Sequence, residues 1–91
     1  GLSELTHTDP LECVYKKLVL EEAARGSHVV GAIVLGDADD MRAAMRLISG
    51  RADLGFWLAQ KAKALAWRDQ GMDLAHLASI VSQVTARRGG A

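Results

Sequence analysis

VYKKLVLEEAARGSHVVGAIVLGD, residues Val14 to Asp37, is the stretch whose reading decides the fold. Val14–Glu22 and His28–Leu35 are rich in β-branched and aliphatic residues, and Gly26-Ser27 lies between them where the chain must reverse. That pattern specifies a β-hairpin. In the first arm Leu18 and Leu20 point one way, while Tyr15, Lys17, Val19 and Glu21 point the other, as in a strand with one wetter face. The second arm has apolar side chains or Gly from Val29 to Leu35, with no face marked for water. It is therefore expected to lie centrally with something packed on both sides. Gly31, mid-strand, is expected to mark the close approach of a helix or a partner domain, so that Gly31→Leu would overpack the site.

Around this hairpin the chain reads as α+β, a three-stranded antiparallel sheet (strands about 2–8, 14–22 and 28–35) with three helices (about 37–49, 54–70 and 73–88). Leu2 to Thr8 is a Thr-containing segment closed by Asp9-Pro10, which suits a short edge strand and a turn. Asp37 caps the first helix, Asp39 and Asp40 favour its positive end, and Met41, Ala44, Met45 and Ile48 give its apolar face before Gly50 stops it. From Asp53 to Gln70 the pattern is one helix with two apolar stripes. Leu54, Leu58, Ala62 and Leu65 form the first, with Trp57 at its edge. Phe56 and Trp67, eleven residues or about three turns apart, form the second, roughly opposite. One core cannot take both stripes, so Phe56, Trp57 and Trp67 are candidates for a subunit or partner interface, the alternative being that the last helix covers them. That helix starts at the cap Asp73, carries Leu74, Leu77, Ala78, Val81 and Val84, and ends at Arg87-Arg88 before Gly89-Gly90.

Composition narrows the function. The chain has 91 residues, 49% of them hydrophobic. That suffices for one small domain, 1–91, in which 1–50 supply the sheet and first helix and 51–91 a helical extension. Eleven Lys and Arg balance eleven Asp and Glu, so no net field draws the chain to nucleic acid or anionic lipid. Asp73 to Val84 holds no basic residue, which disfavours a helix-turn-helix reader. No apolar run reaches a membrane span and the N-terminus lacks signal-peptide regions, so a soluble protein with no membrane partner is expected. Gly1 in place of Met suggests a chain cut either from a tag or from a longer polypeptide. Cys13 is the sole cysteine, which excludes an internal disulfide and fits the reducing cytoplasm; it is expected to be a small buried thiol.

No residue set carries a reaction. His7, His28 and His76 are scattered without ligand spacing, Asp37-Ala38-Asp39-Asp40 lacks the later ligands of a calcium loop, and no serine has a nucleophile-elbow context. Gly31 to Gly36 lies inside a strand rather than in the tight strand-to-helix turn of a dinucleotide fingerprint. Catalytic, metal and cofactor-binding residues are accordingly assigned to none.

Tyr15-Lys16-Lys17-Leu18-Val19-Leu20, followed by Val30-Gly31-Ala32-Ile33-Val34-Leu35-Gly36-Asp37 and an amphipathic helix, resembles the small C-terminal domain of FAD-dependent NAD(P)H oxidoreductases of the NADH:rubredoxin oxidoreductase and assimilatory nitrite reductase type. Asp9-Pro10 matches the turn that precedes the hairpin there. The likeness spans about Thr8 to Gly50; the Ala23–Ser27 connection is longer than the family's, and the helices after Asp53 lie beyond the match. It implies that FAD and NAD(P)H belong to upstream domains of a parent enzyme, with no cofactor in this chain. The implied role is packing beside the flavin domain, dimerisation, or docking of a protein electron acceptor. A free-standing α+β interaction module that forms a homodimer is the competing expectation.

Overall fold

The computed structural model describes residues 1–89, with side chains through Arg87. It has three antiparallel strands, β1 (Leu2–Asp9), β2 (Val14–Ala23) and β3 (Gly26–Leu35), then α1 (Ala38–Ser49), α2 (Gly55–Leu58), α3 (Lys61–Asp69) and α4 (Leu74–Gly89). The expected α+β class and the three-stranded sheet are present. Arg88's side chain and a stop at Gly89-Gly90 fall outside the described residues.

Strand order is β1-β2-β3, so the central strand is β2, not β3. β1 occupies the free edge of β2 in unbroken register, Leu2 opposite Glu21 through Asp9 opposite Val14. The apolar run of β3 thus belongs to an edge strand with one open face, where Ile33 and Leu35 remain 47% and 58% exposed. Its outer edge is only partly covered. Val29 N–H donates to Ala52 O at 2.9 Å and Leu54 N–H to Ser27 O at 2.8 Å, so the 52–54 segment pairs with the start of the strand. The pairing of Val19 with Gly31 and of Leu20 with Val29 leaves Val30 as an extra residue, a bulge that re-aims the second half of β3. Gly31 faces the open side. A Cβ there would meet the Val19 side chain at 3.6 Å, ordinary contact, so no helix approaches it and the expected overpacking has no physical basis.

The inner face carries the core. Leu18, Leu20, Val29 and Val34 from the sheet meet Ala43, Ala44 and Leu47 of α1, and the cluster continues through Leu54, Trp67, Met72, Leu74 and Leu77. Residues after Asp53 are therefore part of this core and not an appendage to it. On α1 the buried line is Asp40, Ala43, Ala44 and Leu47, while Met41 and Met45 are 41% and 60% exposed. The helix is rotated by about one residue from the face that Met41, Ala44, Met45 and Ile48 define, because Asp40 faces inward. Asp37 caps it as expected, accepting from Asp40 N–H at 3.0 Å.

The expected helix 54–70 is two helices. The chain turns at Ala59-Gln60, where Gln60 has φ −91° and ψ 66°, and this break resolves the conflict between the two apolar stripes. A straight helix would hold Trp67 opposite Leu54. With the turn, Leu54 and Trp67 enter the same core and Leu58 packs against it, while Ala62 and Leu65 are left exposed.

Candidate functional site

Period-two alternation puts Lys16 on the same face as Leu18 and Leu20, and the 3.6-residue period puts Asp40 in line with Ala43, Ala44 and Leu47. Both charged residues are therefore carried into the core by the elements that hold them, and they are 6% and 3% exposed. Each would be costly there alone. They meet instead, Lys16 Nζ donating to Asp40 Oδ2 at 2.5 Å. The ammonium also donates to the carbonyls of Gly71 at 3.0 Å and Met72 at 3.3 Å, and Asp37 lies 3.8 Å away. Gly71 and Met72 have φ of +117° and +53°, a left-handed pair that aims both carbonyls at Lys16.

Asp40 has a second task. Its Oδ2 accepts from Leu74 N–H at 3.0 Å and its Oδ1 from Ala75 N–H at 3.2 Å, while His76 N–H donates to Asp73 Oδ1 at 2.9 Å and Leu77 N–H to Asp73 O at 3.1 Å. All four leading N–H groups of α4 are thereby satisfied, two of them by a carboxylate from another helix at the positive end of the dipole. Burial favours the neutral acid, but the hydrogen bonds from Lys16 and from the Leu74 and Ala75 amides outweigh it and hold the Asp40 carboxyl below its ordinary range. The cluster joins β2, α1, the α3–α4 turn and α4. Both charges are enclosed and fully hydrogen-bonded, so its chemistry is that of a clamp rather than of an acid and base presented to a substrate.

The three aromatic candidates separate. Trp67 is 8% exposed, sits in the core and donates from Nε1 to Asp73 O at 3.1 Å. Trp57 packs against it edge to face, ring centroids 6.4 Å apart at 86°. Its Nε1 is buried without an acceptor. Trp67 offers no free surface, and Trp57 is half-buried. Phe56, half-buried, points elsewhere, into a groove of about 1030 Å³ between the end of α1 and α4 that Arg46, Arg51, Val81 and Ser82 also line. Phe56 thus lines a groove beside α4, while the two tryptophans pack on each other.

Cys13 is exposed, not buried, because it sits in the β1–β2 turn with φ +55° rather than inside a strand. Its neighbour across the turn is Gly36, φ +86°, where a Cβ would fall 2.5 Å from Cys13 O. Among the described residues no group of three or more His, Cys, Asp or Glu is placed to hold a metal, and no helix is long and apolar enough to cross a membrane.

The most exposed apolar surface on the sheet is its outer face, where Tyr15, Val19, Ile33 and Leu35 form a patch beside the Glu4–Lys17 ion pair at 3.1 Å. The hydrogen bond to Glu4 and its charge hold the Lys17 ammonium above its ordinary range. Comparison with family models, with curated proteins and with solved structures found no match.

Proposed function

We propose that this chain is the C-terminal interaction and dimerisation domain of a FAD-dependent NAD(P)H oxidoreductase, with no catalysis of its own. In this reading FAD and NAD(P)H are bound by upstream domains of a cytoplasmic parent enzyme, and this chain supplies surface. The observation that carries it is the outer sheet face. The motif-bearing strands form a hairpin that leads through Gly36-Asp37 into α1, and of their outward side chains Ile33 and Leu35 are 47% and 58% exposed while Tyr15 and Val19 are half-buried. Apolar sheet faces of this kind mark contact surfaces. In this reading the sheet face, rather than Phe56, Trp57 and Trp67, supplies the partner surface.

The reading frame upstream of Leu2 tests the proposal. It is expected to encode two Gly-x-Gly-x-x-Gly fingerprints, each between a strand and a helix, and the purified product is expected to carry flavin. A start codon within a few residues of Leu2 would instead make the chain a free-standing homodimeric module, and the flavoenzyme reading would fall.

A further inference from the structure

A second surface, at the opposite edge of the sheet from β3, carries two independent features that fit one kind of partner. The first is the backbone of β1. Gly1 and Glu22 exchange both main-chain hydrogen bonds, the Gly1 amine donating to Glu22 O at 3.2 Å and Glu22 N–H to Gly1 O at 2.8 Å. In an antiparallel ladder such pairs recur at every second residue, and the β1–β2 register has no shift. Ser3, Leu5, His7 and Asp9 therefore bond inward to β2, while Leu2, Glu4, Thr6 and Thr8 turn their N–H and C=O groups outward. β1 carries none of the Lys, Pro or bulge devices that blunt edge strands.

The second feature is a groove of about 200 Å³ on the inner side of this strand. Leu5 is the only sheet residue that lines it, so it opens at the β1 edge. Its walls are Leu58, Leu65 and Trp67, and Lys61 and Arg68, two turns apart along α3, line it as well, Arg68 with the Asp69 carboxylate 3.7 Å from its guanidinium. Leu65 is 49% exposed there. A strand laid along β1 would alternate its side chains, sending every second one beneath α3.

The geometry points to β1 as the docking edge for an extended acidic peptide segment, which adds as a fourth strand, seats one apolar side chain in the Leu5–Leu65 groove and sets carboxylates against Lys61 and Arg68. Main-chain bonds supply affinity and the groove supplies sequence preference. Carboxylates two residues before and after the apolar one lie about 13 Å apart on a strand, against about 10 Å between Lys61 and Arg68 on the helix, a difference that two long side chains absorb. The preferred pattern is thus acid-x-apolar-x-acid. This inference stands apart from the flavoenzyme reading, which concerns the outer face of the sheet.

The test is fluorescence anisotropy of the 91-residue chain with a fluorescein-labelled peptide Thr-Glu-Thr-Leu-Thr-Glu-Thr. Saturable binding is expected, weakened by salt and by replacement of both Glu with Lys. Thr6→Pro removes an outward N–H that the β1–β2 ladder does not use, so it is expected to weaken binding roughly tenfold or more with unchanged far-UV circular dichroism. Lys61→Glu with Arg68→Glu is expected to do the same. A peptide N-methylated on alternate residues, which leaves the protein untouched, is expected to bind in only one of its two phases. No binding by the wild-type chain, equal binding of both N-methylated peptides, or a folded Thr6→Pro variant that binds as tightly as wild type would overturn the proposal. A dimer of the chain alone that Thr6→Pro dissociates would also overturn it, by assigning the edge to a second copy.

Discussion

Replacing Asp40 by Leu tests the clamp that holds α4 to the rest of the fold. The substitution leaves the Lys16 ammonium 6% exposed, facing the Gly71 and Met72 carbonyls with only the more distant Asp37 carboxylate, 3.8 Å away, to balance its charge. Breaking a buried pair by removing one partner costs about 3–5 kcal/mol. Leu74 N–H, at a fully buried residue, loses its acceptor for about 1 kcal/mol more, whereas Ala75 is exposed and its N–H can turn to water. A loss of about 4–6 kcal/mol is large against the roughly 5–13 kcal/mol available to a domain of this size, and it corresponds to a fall in Tm of about 20 °C or more. Lys16→Met is the milder single change, about 2–3 kcal/mol, because Asp40 keeps two amide donors. The double variant Lys16→Met with Asp40→Leu has no unpaired charge, and only the Leu74 amide and the two carbonyls are left short, about 2 kcal/mol in all. Urea midpoints at constant m read all four proteins. The reasoning predicts a coupling of about 3 kcal/mol or more; a double variant whose loss equals the sum of the singles within about 0.5 kcal/mol would refute it.

The Asp40 carboxyl is held below its unfolded value, so its contribution is full above about pH 4 and is lost as pH falls through the folded pKa; wild-type stability is expected to drop on acidification below about pH 4, with a shallower slope in Asp40→Asn. Gly31→Ala, on the open face with only Val19 nearby, is expected to be neutral or to stabilise by up to about 1 kcal/mol, whereas Gly36→Ala, at φ +86° and against Cys13 O, is expected to cost about 1–3 kcal/mol; chemical denaturation measures both. Trp67→Ala is expected to cost about 3–5 kcal/mol and to remove the near-ultraviolet circular dichroism of the T-shaped pair, and a near-native urea midpoint would return Trp67 to the surface. The exposed Cys13 thiol is expected to react with a disulfide reagent in the folded protein at a rate close to that in urea.

Much of the fold was legible because local signals and burial agree. The hairpin, the turn at Asp9-Pro10, the Asp37 and Asp73 caps and the Leu74–Leu77 face all follow from period and capping chemistry. The clamp was also within reach, since Lys16 shares parity with Leu18 and Leu20, and Asp40 shares a helical line with Ala43, Ala44 and Leu47. Each charge, taken alone, belongs on a surface, and only their meeting at 2.5 Å makes burial tolerable. Three features depend on tertiary packing and have no local signature. Ala59-Gln60 contains neither Gly nor Pro, yet the helix breaks there to bring Trp67 into one core with Leu54. The run Val29–Leu35 reads as doubly covered, but Leu2–Asp9 takes the second edge of β2 and leaves β3 outside. Cys13 adopts a positive φ in its turn, so its exposure follows from the backbone and not from its apolar character.

The outer sheet face is the proposed contact surface on which the functional account rests, and thiol accessibility at Ile33 tests it most directly. In a Cys13→Ser background, Ile33→Cys places a single thiol at a position 47% exposed in the wild-type chain. Its rate with a maleimide reagent is to be measured in the dilute isolated chain and in the assembled form, either the polypeptide encoded by the whole reading frame or the chain at a concentration where light scattering shows a dimer. The account predicts fast labelling when dilute and strong protection on assembly, while a control thiol at Ala24, in the exposed β2–β3 turn, reacts alike in both. Equal labelling of Ile33→Cys in the dilute and assembled forms would contradict it.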